Sequence, residues 1–261
     1  MNLYLGLDNY DGVSKEKINN LRVSGFIVGD PFCQYKMFEN GNYDLIRFIE
    51  NAINTKKDII YQTPVYVTDR NFSEVTKTVL YLYRNKQVTK FLVQDVGLIN
   101  WINENIPDAK LIWGHWGRNR NSIMNHDFVS FLIKLKVDGL ESNLPNRIVA
   151  ISNYGLPVYA VYGNIVYNTV SRDCYNQYML NHYDGMCKRE CLQKCSKLRL
   201  KDFEMTIDGH LLGKKIKYPP VDEYYDCIKD YSKELMLYCS DYDEACLIVD
   251  KLLRNLGGNL K

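Results

Sequence analysis

Residues 91–115, FLVQDVGLINWINENIPDAKLIWGH, set two short apolar runs, Phe91–Gln94 and Lys110–Trp113, on either side of an amphipathic stretch, Gly97–Asn105. Apolar residues recur at three and four positions within that stretch, the period of a helix with one buried face. Strand, helix, strand in this order is a βα unit, and it predicts a parallel sheet.

The same alternation extends outward in both directions. Strand-like runs fall at Leu3–Leu7, Gly25–Val28, Ile59–Tyr66 with interruptions, Val137–Leu140, Ile148–Ile151 and Val158–Tyr162. Helix-like stretches fall at Tyr43–Ile53, Ser73–Tyr83 and Asn121–Leu135, with capping signals at Asn42 and at Asn71 or Ser73. About eight strands with intervening helices favour an α/β architecture, a TIM-like (β/α) barrel, complete or distorted, over an open sheet. Beyond residue 163 the character changes to a cysteine-bearing segment at 174–195, a strand pair at Phe203–Ile207 and His210–Lys217, then Pro219-Pro220 and a polar helical tail over 218–261. With no repeat or linker, the expectation is one barrel domain over 1–261, with the cysteine segment and the tail as appendages.

A chain of 261 residues with 46% hydrophobic and 25% charged residues can bury one substantial core. Thirty-three Lys and Arg against 31 Asp and Glu give a net charge of +2, too small to argue for nucleic acid or a membrane surface. No run approaches the roughly 18 apolar residues of a membrane span, and the amino terminus lacks a signal-peptide pattern, so a cytoplasmic location is expected. There the eight cysteines are expected as metal ligands, catalytic thiols or buried hydrophobes rather than disulfides.

Four of the cysteines read Cys174-x12-Cys187-x3-Cys191-x3-Cys195, after the run Val158–Tyr162, and Cys33 follows the run ending at Val28. In a barrel both positions belong to the carboxyl-end loops, the face that carries active sites. Thiolates at short spacing suit zinc or an iron–sulfur cluster, and spacing alone leaves both open. Cys227, Cys239 and Cys246 occupy apolar positions of the tail and are expected to be buried small hydrophobes.

His115 in GHWGR would stand at a strand end between glycines and tryptophans, and Asp95 and Glu141 occupy the same kind of position on neighbouring strands; these three are the candidate catalytic residues. Asp95 and Glu141 could equally cap the helices that follow them. Arg172, beside Cys174, and Arg118 would give the pocket a cationic rim suited to an anionic small molecule. No GxGxxG, P-loop, GxSxG or HExxH pattern occurs, so nucleotide sites and conventional serine or zinc proteases are not indicated.

Several of these stretches together resemble the collagenase-like peptidase family, and within it the UbiV-type members. They are GDPFC at Gly29–Cys33, IIYQTPVYVT at Ile59–Thr68, FLVQDVGLINW at Phe91–Trp101, IWGHWGRN at Ile112–Asn119, LES at Leu140–Ser142 and VYG at Val161–Gly163. The resemblance implies a 4Fe-4S cluster on Cys33, Cys174, Cys187 and Cys191, leaving Cys195 outside the set. Where other family members carry His-Gly, this chain has Tyr162-Gly163, as UbiV-like proteins do, which weakens any transfer of peptidase activity and makes Tyr162 a candidate substrate contact. The implied activity is oxygen-independent hydroxylation, as in ubiquinone biosynthesis with a partner subunit of the same family, or of RNA bases, with prephenate as source of the hydroxyl oxygen. A peptidase or a non-catalytic zinc or iron–sulfur module are the remaining alternatives.

Overall fold

Seven of the expected strands and one unexpected one pair in parallel through runs that are buried almost throughout, as strands covered on both faces must be. The structure is a computed structural model that describes residues 1–7, 10, 12–31, 43–114, 126–163, 165–170, 196–200, 203–208, 211–215, 219–239 and 241–255. Strands β1 (Asn2–Leu7), β2 (Gly25–Gly29), β3 (Asp58–Gln62), β4 (Lys90–Val93), β5 (Lys110–Trp113), β6 (Gly139–Ser142), β7 (Val158–Tyr162) and β12 (Glu234–Cys239) close into a barrel in the order β1-β12-β7-β6-β5-β4-β3-β2. This is the TIM-like (β/α)8 architecture.

Helices α1 (Lys15–Asn20), α2 (Tyr43–Asn54), α3 (Asp69–Lys86), α4 (Val96–Asn105), α5 (His126–Lys134), α6 (Pro145–Ser152), α7 (Val221–Ile228) and α8 (Tyr242–Asn255) join the strands. Their apolar faces and the outward side chains of the strands form the larger core cluster, in which Leu3, Phe26, Ile49, Val79, Phe91, Ile99, Leu132, Ile148, Leu235 and Leu252 are buried.

Three expectations change. Ile148–Ile151 is not a strand but part of α6: Pro145 starts the helix, and Ile148 and Ile151, one turn apart, are both fully buried on one face. Helix α3 begins four residues before Ser73, after Thr68, so neither Asn71 nor Ser73 is its cap. The tail is not wholly helical, because ELMLYC at 234–239 forms β12 and supplies the eighth strand. It pairs with β1 through Asn2↔Glu234 to Leu7↔Cys239 and with β7 through Glu234↔Tyr159 to Leu237↔Tyr162.

Within the barrel, the strand registers stack inward side chains in tiers drawn from alternate strands, the arrangement that fills such barrels. Tyr4, Ile60, Ile112 and Tyr159 form one tier; Ile27, Leu92, Glu141 and Met236 the next; Gly6, Gln62, Gly114 and Val161 the one above. The seven aliphatic and aromatic members Tyr4, Ile27, Ile60, Leu92, Ile112, Val161 and Met236 make a buried cluster separate from the outer core.

Below them, the first residues of four strands form a polar plug at the amino end. Lys90 pairs with Asp58 and donates to the Tyr4 hydroxyl at 3.0 Å, Tyr4 donates to Asp58 Oδ2 at 3.0 Å, and Asn2 Nδ2 donates to Glu234 Oε1 at 3.1 Å. Burial pushes the Tyr159 phenol up to about 12 and raises the Glu234 carboxyl above its ordinary value, an effect that Asn2 and Lys90 partly offset.

Between β7 and α7 lies a second, antiparallel sheet of β8 (Ile165–Val170), β9 (Ser196–Leu200), β10 (Phe203–Asp208) and β11 (Leu211–Lys215), in the order β8-β11-β10-β9. The strand pair expected at 203–217 is its β10–β11 hairpin. Leu211 is opposite both Val170 and Asp208, while Ser196 is opposite Ile207. The last residue of β8 and the first of β9 therefore lie at the same end of the sheet, three strand spacings or about 14 Å apart.

Two outcomes follow. Met236→Ala, which empties a fully buried site in the barrel interior, lowers unfolding free energy by about 2–4 kcal/mol, whereas Leu247→Ala, 71% exposed on α8, changes it by less than about 0.5; urea denaturation measures both. Because the folded state holds the Glu234 proton more tightly than the unfolded chain does, ionisation of Glu234 erodes stability as pH rises through its raised value. The stability of Glu234→Gln relative to the parent should accordingly increase between pH 4 and pH 7, and an equal difference at both values would refute this.

Candidate functional site at the barrel mouth

A polar side chain is buried only at a cost unless something answers it, so the places where polar groups concentrate inside a barrel are informative. Among the described residues the buried polar or charged ones are Asp30, Gln62, Thr63, Asn71, Thr76, Glu141, Ser142 and Ser232. Five of these eight, Asp30, Gln62, Thr63, Glu141 and Ser142, lie at or just beyond the carboxyl ends of β2, β3 and β6. That is the face on which barrels of this type place their chemistry.

Backbone geometry brings these ends together. Gly29 closes β2 at φ +127°, where an added Cβ would meet the Gln62 carbonyl oxygen at 2.1 Å, so only glycine permits the close approach of β2 to β3. Val65 N then donates to Pro31 O at 3.0 Å, tying the two exits to each other. The Thr63 amide and hydroxyl both donate to Leu92 O, at 2.9 and 3.2 Å, which anchors the β3 exit to β4. Asp30 and burial together raise the phenol of Tyr61, with burial the larger effect.

Glu141 is fully buried in the tier otherwise made of Ile27, Leu92 and Met236, and the Tyr238 hydroxyl donates to its Oε1 at 2.8 Å. The Tyr238 ring reaches it by lying over Gly6, where a Cβ would stand 2.8 Å from Cδ1 of the ring, and against Gly163. On the opposite side Gln94 occupies the space over Gly114 and donates through Nε2 to its carbonyl at 2.5 Å. Gln62, 3% exposed, has no hydrogen-bond partner for Nε2 among the described residues. The upper barrel thus holds a carboxylate, a phenol and two amides above an aliphatic floor. Such a set can accept and donate hydrogen bonds to a small polar molecule and offers a carboxylate as a proton acceptor.

Of the expected catalytic residues, Glu141 faces the barrel interior and Asp95 serves α4: its carboxylate accepts from Leu98 N at 2.9 Å as the helix cap. Tyr162 alternates with the inward Val161 and so faces outward, its ring edge-on to Tyr224 at 5.5 Å and its hydroxyl donating to Pro219 O at 3.0 Å. It packs against the outer core rather than into the mouth. His115, Arg118, Arg172, Cys33, Cys174, Cys187 and Cys191 lie outside the described residues, as does Cys195. Among the described residues no three His, Cys, Asp or Glu side chains are grouped as metal ligands would be. Of the tail cysteines, Cys239 is buried and Cys246 half-buried, but Cys227 is exposed on α7, correcting the expectation that all three are core residues.

Sequence reasoning missed Tyr238 and Gln62. The alternation in ELMLYC, with Glu234, Met236 and Tyr238 inward and Leu235, Leu237 and Cys239 outward, was the available signal for the first. Gln62 in YQTP carried no signal beyond its place at the end of an apolar run.

No protein-family model matches the chain, and no curated protein matches it in sequence. Solved structures do match in fold. The U32 peptidase Mk0906 aligns at 11% identity and a TM-score of 0.53 over 92% of this chain and 94% of its own. Orotidine 5′-phosphate decarboxylase from Pyrococcus horikoshii aligns at 12% and 0.52 over 96% and 98%. A glycoside hydrolase family 18 N-acetylglucosaminidase from Paenibacillus barengoltzii aligns at 7% and 0.55 over 97% and 99%. At these identities they define a class, the TIM-like barrels. Within it this chain is a barrel with a buried glutamate held by a half-buried tyrosine under its mouth and a second sheet inserted after its seventh strand. No helix among the described residues is long and apolar enough to cross a membrane.

Tyr238→Phe removes the hydroxyl that donates to Glu141 Oε1 inside the barrel. Urea unfolding should show a loss of about 1–3 kcal/mol, and a loss no greater than that of an exposed Tyr231→Phe control would show that the pair is not held as described.

Proposed function

We propose that this chain is an iron–sulfur protein of the collagenase-like peptidase type, carrying a 4Fe-4S cluster on Cys33, Cys174, Cys187 and Cys191 and acting in oxygen-independent hydroxylation with a partner subunit. The observation that carries the reading is connectivity. The sheet that flanks the segment with Cys174, Cys187 and Cys191 is inserted directly after β7, and the segment leaves it at Val170 and rejoins it at Ser196, at the end opposite Ile165 and Lys215, through which the sheet joins the barrel. Cys33 follows two residues after Pro31, where β2 exits at the carboxyl end of the barrel. The fold likeness to a U32 peptidase supports the barrel and nothing finer.

Four thiolates are the soft donor set that an iron–sulfur cluster requires. When bound, the cluster would supply one-electron chemistry at the mouth. The chain's own residues would do the rest. Glu141, oriented by Tyr238, would accept a proton or a substrate hydroxyl hydrogen from beneath the mouth. His115 would exchange a proton at the end of β5, and Arg118 and Arg172 would hold an anionic co-substrate such as prephenate through paired guanidinium donors.

Anaerobic purification and reconstitution, followed by iron and sulfide analysis and visible absorption, tests the reading. About four iron and four sulfide per chain are expected, lost in Cys33→Ala and kept in Cys227→Ala. About one zinc and no sulfide, or unchanged iron in Cys33→Ala, would sink it.

A further inference from the structure

The second sheet joins the barrel through a narrow root. The chain leaves β7 at Tyr162 and Gly163, enters the sheet at Ile165, leaves it at Lys215 and reaches Pro219 just ahead of α7. Ile165 is opposite Lys215, so the entering and leaving strands run side by side at that end. Two tyrosines tie the root. Tyr162, on the way in, donates to Pro219 O, on the way out, at 3.0 Å. Tyr224, in the first turn of α7, donates back to Val161 O on β7 at 2.8 Å, and the two rings meet edge-on at 5.5 Å. Each side of the root therefore holds the backbone of the other.

The local sequence suits this arrangement. Pro220 confines Pro219 to extended conformations and has its own φ at −48°, so the accepting carbonyl is set in advance. Val221 and Tyr224 are buried, which seats α7 in the outer core. Burial and, after it, the Asp222 charge raise the Tyr162 phenol, so the hydroxyl stays protonated and able to donate through the neutral range. Gly163 passes so close to Tyr238 that an added Cβ would stand 3.2 Å from the Tyr238 Cβ, which puts the root beside the tyrosine that holds Glu141.

Between Ile165 and Val170 β8 advances about 17 Å, and residues 171–195 leave and rejoin the sheet at that far end. A tilt of about 10° at the root would carry the far end about 3 Å, whereas metal–ligand distances hold within about 0.2 Å. A linking segment absorbs such a displacement only by giving up order that a fixed root supplies in advance. We propose that Tyr162 is a positioning residue for the cluster. Its hydroxyl, with that of Tyr224, clasps the root and so fixes Val170 and Ser196, from which the segment with Cys174, Cys187 and Cys191 extends, relative to the β2 exit that leads to Cys33. For what is positioned this rests on the preceding proposal; for the clasp it rests on the two hydrogen bonds.

The test is Tyr162→Phe, which keeps the ring and removes the hydroxyl. Hydrogen exchange of the full chain is read by mass spectrometry on iron-free and reconstituted protein, and iron release to a chelator is followed anaerobically. Peptides covering β8 and β11 should exchange about fivefold faster, the share of one hydrogen bond, while those covering β3 to β5 match the parent. The variant should still take up about four iron but release them about fivefold faster. Tyr224→Phe should raise exchange in the same peptides, and Tyr231→Phe, an exposed tyrosine, should change neither reading. The proposal is overturned if β8 and β11 exchange as in the parent or if iron release is unchanged. It is also overturned if β3 to β5 quicken equally, the mark of a general loss of stability. A parent chain that takes up no iron sinks the cluster reading and the role of Tyr162 toward it, and exchange of the iron-free chain then still decides the clasp. A parent that holds iron while Tyr162→Phe releases it no faster overturns the positioning role and leaves the cluster reading standing.

Discussion

Closure of the barrel by β12 is the constraint on which the remaining features depend. Were Glu234–Cys239 absent from its place, β1 and β7 would each present an unpaired edge, and an open row of backbone donors and acceptors is a liability that barrels avoid by closing. Closure also sets the tiers. Inward side chains from alternate strands share a level only because the sheet returns on itself with a stagger, and that stagger puts Tyr238 one tier above Gly6 and within reach of Glu141 on β6. The glutamate–tyrosine pair joins the strand nearest the chain's end to one in its middle, 97 residues earlier, so the site is a consequence of closure.

How much of this was legible follows from the range of each interaction. Helix periodicity and short apolar runs are local, and β1 to β5 with α2 to α4 could be read directly. Ile148–Ile151 could not, because a four-residue apolar run looks alike in a buried strand and a buried helix turn, and Pro145 was the only deciding cue. Strand β12 was hidden by its setting among acidic and cysteine-bearing helical segments, although ELMLYC alternates as a strand should. Asp95 illustrates the other limit: a carboxylate at a strand end is also a carboxylate at a helix start, and only geometry showed that it caps α4. Tyr162 was read as a substrate contact from the family resemblance, which carries no strand phase; neighbours on a strand face opposite ways, and Val161 takes the inward position.

Polar groups are buried at both ends of the barrel interior, in different company. At the amino end Lys90 meets Asp58 and Tyr4, and Asn2 meets Glu234 Oε1, while Glu234 Oε2 is buried with no hydrogen-bond partner among the described residues. At the carboxyl end Glu141 accepts from the Tyr238 hydroxyl, and the Gln62 amide nitrogen has no acceptor among the described residues. An interior under selection for stability alone would not keep Gln62, because an apolar residue of the same shape would serve better. In barrels the amino face reads as stability and the carboxyl face as chemistry. Here five of the eight buried polar or charged residues among those described lie at the carboxyl face, a distribution in keeping with that division.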